Sequence, residues 1–114
     1  MAFLGVALGA FGAHALKGRL SPQDLVTFET GVRYQMYHAL ALLLVASFLA
    51  RGPSGANQLA GWAFTVGIAL FSGSLYLMVL TGYRWLGPVT PLGGLAFLVG
   101  WGALAWGFIQ GKGP

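Results

Sequence analysis

The sequence has no cysteine, and only 7% of its 114 residues are charged. The missing cysteine excludes disulfides, thiolate metal sites and cysteine nucleophiles, and leaves the redox compartment undetermined. Soluble domains carry roughly 25% charged residues, so two acidic and six basic side chains cannot cover a water-exposed surface. Because 57% of the residues are hydrophobic and the apolar stretches run all the way round the helix, the predicted solvent is lipid.

Reactive motifs are also missing. There is no nucleophile elbow, no phosphate-binding loop, no pair of carboxylates spaced for catalysis and no charge in the middle of an apolar stretch. We therefore expect no catalytic residue, no resident cofactor and no enzymatic activity. The net charge of +4 comes from cations scattered over separate loops, which form no stripe along a nucleic acid backbone. Anionic membrane lipid is the expected partner of these cations, and nucleic acid is not.

Four apolar stretches separated by three polar breaks predict an all-α integral membrane protein. We expect residues 1–114 to form one domain, a four-helix transmembrane bundle with spans at about 2–16, 34–50, 58–80 and 91–109. A helix needs roughly 20 residues to cross the hydrocarbon core at 1.5 Å per residue. The first stretch is shorter, so it is expected either to lie tilted in a thinned bilayer or to follow further residues.

The second helix is expected to start well before its apolar part. Ser21 is suited to the N-cap position and Pro22 to the first helical position. Polar and apolar residues alternate around the helix from there to residue 33, which predicts an amphipathic extension of helix 2 lying in the membrane interface. The helix is expected to end at Arg51-Gly52-Pro53.

Four spans would place both termini on one side of the membrane and the 17–33 and 81–88 segments on the other. Cytoplasmic loops carry an excess of lysine and arginine. The two-loop side has four such residues and the terminal side has two, so the two loops are predicted to be cytoplasmic. The residues counted are Lys17, Arg19, Arg33 and Arg84 on the first side, and Arg51 and Lys112 on the second.

Glycine spacing predicts how the helices pack. Helices in lipid associate by close backbone approach, which small residues permit. Gly93, Gly100 and Gly107 recur every seven residues and therefore line one face of the fourth span. The other predicted packing positions are Gly5 and Gly9 with Ala13 in the first span, and Gly67 and Gly73 with Ser74 in the third. A backbone kink that opens a pore is the alternative reading of these glycines.

The two histidines are the first candidates for chemistry. A hairpin of spans one and two would bring His14 and His38 to the same interface, where they could meet. Paired imidazoles can ligate haem or a metal, hydrogen-bond a quinone carbonyl or relay a proton. An interfacial histidine can also simply bond a loop carbonyl or a lipid headgroup. We expect no metal, because no acidic residue lies at ligand spacing, and no haem, because tightly packed short helices leave no slot for it.

Other polar residues are expected near the same interface. Glu29 and Arg33 are four residues apart, as in an ion pair on a helix surface. Gln35 and His38 share a face that is predicted to point into the bundle. The hydroxyls of the third span should bond their own i−4 carbonyls or a neighbouring helix.

Four sequence blocks are familiar: GAFGAHAL at 9–16, TGVRYQMYHALAL at 30–42, FSGSLY at 71–76 and TPLGG at 90–94. Together they resemble the small bacterial membrane-protein family catalogued as domain of unknown function 423. The resemblance implies a four-span protein of the bacterial plasma (inner) membrane with no established activity. Family members usually carry several more residues before the first block. The resulting candidate polar cluster is His14, Glu29, Arg33, Tyr34, Gln35, His38, Ser72, Ser74 and Tyr76.

Three functions stay open at this point. The favoured one is a non-enzymatic accessory or interaction subunit that packs against a membrane-protein partner or forms a homo-oligomer. The second is a lipid- or quinone-binding protein that uses the polar cluster. The third is a small transporter that acts as an oligomer.

Overall fold

The protein is built from helices. The computed structural model describes residues 1–111, and within them no strand occurs. Lys112, one of the cations counted above, lies outside the described residues. The helices are α1 (Ala2–Leu16, regular to Phe11 and π-helical over Gly12–Leu16), α2 (Pro22–Leu49), α3 (Gly55–Thr81, with a π-helical turn at Ile68–Ser72) and α4 (Val89–Ile109), which follows a short 3-10 turn at Arg84–Leu86.

Three of the described helical segments are long and apolar enough to cross a membrane. They are Pro22–Leu49, Gly55–Thr81 and Arg84–Ile109, while Ala2–Leu16 is apolar but shorter. Large apolar side chains cover their outer surfaces; Trp62 is 72% exposed and Ile109 is 76% exposed. Such a surface is unfavourable in water and suits a lipid environment. The prediction of an all-α membrane protein is confirmed.

Serine caps determine where α2 and α3 begin. The Ser21 hydroxyl accepts a hydrogen bond from the Asp24 N–H at 3.1 Å, with Pro22 at the first turn, as predicted. Ser54 caps α3 in the same way through the Asn57 N–H at 3.3 Å. This second cap starts α3 three residues before the predicted span, because an accepting side chain satisfies backbone donors at a helix start.

The main core lies between α2, α3 and α4, with α3 packed against both of the others. Its buried members are Ala41, Val45, Phe48, Ala60, Phe64, Ile68, Phe97 and Leu104. Helix α1 lies at the side of this core and packs on the first part of α2. A smaller cluster of Leu16, Phe28 and Val79 joins α1, α2 and α3.

Glycines set the distance between α3 and α4. Gly93, Gly100 and Gly107 are all buried and all face α3. A Cβ on Gly100 would lie 2.5 Å from Cε1 of Phe64, and one on Gly107 would lie 2.5 Å from Oδ1 of Asn57. Gly67 on α3 faces α4 in return, against the ring of Phe97. The two backbones can approach this closely only because these positions lack side chains.

The α1–α2 contact also uses glycines, with one difference from the sequence analysis. Gly5 faces Met36, and Gly9 faces Val32 with a would-be Cβ distance of 3.3 Å. Gly12, which faces Phe28, completes this seam, whereas Ala13 is exposed. Residues 5, 9 and 12 follow the i, i+4, i+7 spacing of one helix face, and residue 13 falls beside it.

The prediction that Gly73 is a packing position was wrong. A Cβ there would meet no atom within 4 Å. Gly73 follows the π-helical turn of α3, and the extra residue of such a turn rotates the helix face that comes after it. A buried glycine of α2, Gly31, does pack closely, since its Cβ would lie 2.8 Å from Cε1 of Tyr76.

One end of the molecule gathers the α1–α2 and α3–α4 connections. Arg84 Nη2 lies 3.1 Å from Asp24 Oδ1, which joins the start of α2 to the turn before α4. At the other end of α1, Gln35 Nε2 donates to the Met1 carbonyl at 2.9 Å. Helix α1 therefore runs alongside the region of α2 from Phe28 to Met36.

Candidate functional site: polar links between the helices

The first polar link joins α2 and α3. The Tyr76 hydroxyl donates to Oε1 of Gln35 at 2.7 Å. One turn earlier on α3, the Ser72 hydroxyl donates to the Gly31 carbonyl at 2.6 Å. Gln35 is 3% exposed and Ser72 is fully buried, and hydrogen bonds in such a low-dielectric interior are stronger than in water. These bonds fix the register between the two helices.

The second link joins α2 and α4 through His38. Its Nδ1 lies 2.7 Å from the Tyr34 carbonyl oxygen, and the Trp101 indole Nε1 lies 3.1 Å from its Nε2. An indole N–H can only donate, so Nε2 is the acceptor and Nδ1 carries the proton. The imidazole is therefore neutral, with both nitrogens engaged. Its ring stacks on Phe97 with the centroids 3.6 Å apart and the planes 6° from parallel.

Both ring nitrogens of His38 already have hydrogen-bond partners, and these would compete with a metal or haem iron. A metal or haem iron would need the Nε2 or Nδ1 lone pair of His38, and would have to displace Trp101 or the Tyr34 carbonyl. Within residues 1–111, no group of three or more histidine and acidic side chains is placed to hold a metal ion.

The third link joins α3 and α4 through Ser74. Its hydroxyl lies 2.9 Å from the Phe71 carbonyl and 2.5 Å from the Thr90 hydroxyl. A serine hydroxyl has one proton, so Ser74 donates it to the carbonyl and accepts from Thr90.

The structure does not bring His14 and His38 together. His14 is exposed, two residues beyond Gly12, which packs on Phe28. His38 lies ten residues further along α2 than Phe28, or about 15 Å at 1.5 Å per residue. His38 was predicted to lie at the start of the second span. Because α2 begins at Pro22, His38 lies in the middle of a long helix instead.

Three more candidates lie at the surface. Glu29 and Arg33 are exposed on α2, and the one ion pair among residues 1–111 is Arg84–Asp24. Tyr34 is 37% exposed, with its ring 4.7 Å from that of Phe71. The candidate cluster thus separates into three links between helices and a set of surface residues.

Trp101 and Thr90 were missed by the sequence analysis. Trp101 had a usable signal: tryptophan in membrane proteins is enriched at the interfaces, and this one lies in the middle of α4. A mid-span indole N–H needs an acceptor. Thr90 had a weaker signal: it begins the TPLGG block but lies just before the predicted span.

An aromatic groove lies on the outside of the second link, between α2 and α4. It has a volume of about 520 Å³ and is open to the surroundings. Gly94 forms part of its lining, and a Cβ there would meet no atom within 4 Å. The remaining lining residues are Tyr34, Tyr37, His38, Phe71, Phe97, Leu98 and Trp101.

Comparison with known proteins decides the family. Residues 8–94 match the family described as "Protein of unknown function (DUF423)". The chain belongs to this family. The matched range contains all four sequence blocks quoted above, so the resemblance they indicated is confirmed.

Relatives of this DUF423 chain are named only as membrane proteins. It is 52% identical to the UPF0382 membrane protein YwdK of Bacillus subtilis over 102 residues, which cover 88% of this chain and 82% of the relative. A UPF0382 membrane protein of Haemophilus influenzae is 42% identical over 111 residues, covering 96% and 88%. One from Staphylococcus aureus strain RF122 is 46% identical over 100 residues, covering 88% and 81%. No solved structure matches the chain.

The predicted localisation is also confirmed. The relatives are bacterial membrane proteins, and this DUF423 chain has three membrane-length apolar helices among its described residues. It is therefore a multi-pass bacterial membrane protein. The names of the relatives assign no activity, ligand or partner.

Proposed function

We propose that this DUF423 protein is a non-enzymatic accessory subunit that packs against a larger membrane-protein partner. The observation that carries the proposal is how the interior polar side chains are used. His38, Gln35, Ser72, Ser74 and Tyr76 all bond groups of the same chain. A catalytic group has to be available to a substrate, whereas these groups hold helices together.

The outer surface supports the same proposal. Four helices joined by glycine contacts form a small unit, and its large exposed side chains point outward. Phe3 on α1 is 83% exposed, Trp62 on α3 is 72% exposed and Leu98 on α4 is 69% exposed. Large aromatic and aliphatic residues of this kind can contact lipid or the helices of another protein.

The topology within this proposal is four spans, with α1 as the first. The Asp24–Arg84 pair supports it by placing the α1–α2 and α3–α4 connections at one end of the molecule. The first turn of α2 then lies in the interface, where Asp24 can reach water.

Site-specific photo-crosslinking in native membranes tests the accessory role. A photoreactive residue in place of Phe3, Trp62 or Leu98 should capture one partner protein, and the tagged chain should co-purify with it in fixed stoichiometry. The same residue in place of Phe28, which is fully buried and already aromatic, is the matched control and should capture nothing. Capture of lipid alone from all three surface positions would contradict the proposal.

A second candidate function is favoured by the aromatic groove. Aromatic side chains bind flat rings by offset or edge-to-face contact, and a groove of about 520 Å³ is within the usual range for small-molecule sites. The Tyr37 hydroxyl, on a side chain that is 53% exposed, is available to a carbonyl group. We propose lipid or quinone binding here as the alternative.

Replacing Gly94 by Leu tests the alternative, because the new side chain would fill the groove without meeting a neighbour at its Cβ. Mass spectrometry of the purified wild-type protein should detect a bound quinone or lipid that the Gly94→Leu variant loses. Gly102→Leu, at an equally open position of α4 outside the groove, is the control and should retain it. Equal retention by both variants would exclude the groove.

A further inference from the structure

One face of α2 carries opposite charges and faces away from the rest of the molecule. Val26, Glu29, Arg33, Tyr37 and Leu40 follow one another at three- and four-residue spacing, so they share one side of the helix. All five are exposed. We call this the outer face of α2.

The other helices contact α2 elsewhere around its circumference. Helix α1 packs at Phe28 and Val32, α3 at Gly31 and Gln35, and α4 at His38. These positions lie on the sides opposite or adjacent to the outer face, so nothing in residues 1–111 packs over it.

Charge makes this face different from an ordinary lipid-facing surface. The side-chain charges of Glu29 and Arg33 do not pair with each other, since the one ion pair among the described residues is Arg84–Asp24. Their neighbour Val32 packs against Gly9, in the middle of the apolar helix α1. Charged groups beside a lipid-facing helix are costly unless they are paired or reach water.

We propose that the outer face of α2 binds the same face of a second copy of this chain. A two-fold axis along the membrane normal makes such an interface isologous and keeps both copies at the same depth. Glu29 of each chain then faces Arg33 of the other. The two residues differ in depth by about 6 Å, four residues at 1.5 Å each, which the long arginine side chain spans.

A second copy fits this face because the face complements itself. Its one negative and one positive charge become two ion pairs on dimerisation, and Val26 and Leu40 extend the contact on either side. An anionic lipid would gain from Arg33 but be repelled by Glu29, so a lipid headgroup is the poorer occupant. This dimer does not depend on the larger partner protein proposed above. Either proposal can therefore fail while the other stands.

Disulfide crosslinking in native membranes tests the location of the interface. The chain has no cysteine of its own, so each variant carries a single reporter. Val26→Cys and Leu40→Cys should each give a disulfide-linked dimer under mild oxidation. Leu98→Cys, at an exposed position of α4, is the control and should remain monomeric. No dimer from either α2 position, or crosslinking only to another protein, would overturn the proposal.

Charge exchange tests the ion pairs. In the Val26→Cys background, Arg33→Glu places four acidic groups at the interface and Glu29→Arg places four basic ones, so each variant alone should lose the crosslinked dimer. Co-expression of the two, with different tags, should restore a heterodimer, because an all-acidic face then meets an all-basic one. Pairing within a single helix predicts no such rescue. Failure of the heterodimer to form would overturn the proposed pairing.

Discussion

Replacing Gly100 by Ala should separate the α3 and α4 helices and destabilise the protein. The added Cβ would lie 2.5 Å from Cε1 and 2.6 Å from Cδ1 of Phe64, about 1 Å inside the normal contact distance between carbon atoms. Phe64 is fully buried, so its ring has no open space to move into. Either the ring adopts a poor rotamer or the helices move apart along the whole seam.

A control variant on the same helix separates the cost of the packing clash from the gain in helix propensity. Overpacking a well-packed interior costs about 1–3 kcal/mol, while the change from glycine to alanine raises helix propensity by about 1 kcal/mol. Gly102 meets no atom within 4 Å, so Gly102→Ala shows the propensity effect alone. The difference between the two variants is then the packing cost, about 1–3 kcal/mol.

Thermal unfolding followed by tryptophan fluorescence in one detergent measures this difference. At roughly 4 °C per kcal/mol, Gly100→Ala should unfold at least about 4 °C below Gly102→Ala. Adding Phe64→Leu, which shortens the opposing side chain, should recover part of the loss. Identical midpoints for the two alanine variants would refute the conclusion that this glycine seam holds α3 and α4 together.

Three further predictions concern the polar links and the topology. Ser72→Ala should lower the free energy of unfolding by about 0.5–1.5 kcal/mol, because it removes a buried bond to the α2 backbone; denaturant titration measures it, and no change would contradict the link. His38→Ala should cost more, about 1–3 kcal/mol, because it leaves the indole N–H of Trp101 without an acceptor in the middle of an apolar helix, whereas His14→Ala should be neutral in the same assay. Single cysteines replacing Arg51 and Arg84 should react with a membrane-impermeant thiol reagent from opposite sides, with Arg84 cytoplasmic, and labelling of both from one side would contradict the four-span topology.

The helices and their solvent were predictable because each depends on local chemistry. Ser21 and Pro22 determine where α2 starts whatever the helix later packs against. The seven-residue spacing of Gly93, Gly100 and Gly107 likewise defines one face of α4. The prediction that His14 and His38 lie at the same interface was wrong. Helix α2 is longer than the predicted span, so His38 lies in its middle and not at the level of His14.

The hydrogen bonds between helices could not be predicted from the sequence alone. Ser72, Gln35 and Tyr76 were candidates by residue type, but their bonding partners depend on the register between α2 and α3. The π-helical turn at Ile68–Ser72 shifts that register, and no spacing rule in the sequence locates such a turn. Gly73, which lies just after it, was misassigned for the same reason.

The sequence by itself determined that the chain is a helical membrane protein. In hydrocarbon each backbone N–H and C=O must be bonded internally, and a helix does this within one continuous apolar segment. The tertiary structure alone decided that Trp101 reaches His38, 63 positions earlier in the chain. That contact arises because the glycine seam and the α2–α3 bonds set how far, and in which register, three helices approach one another.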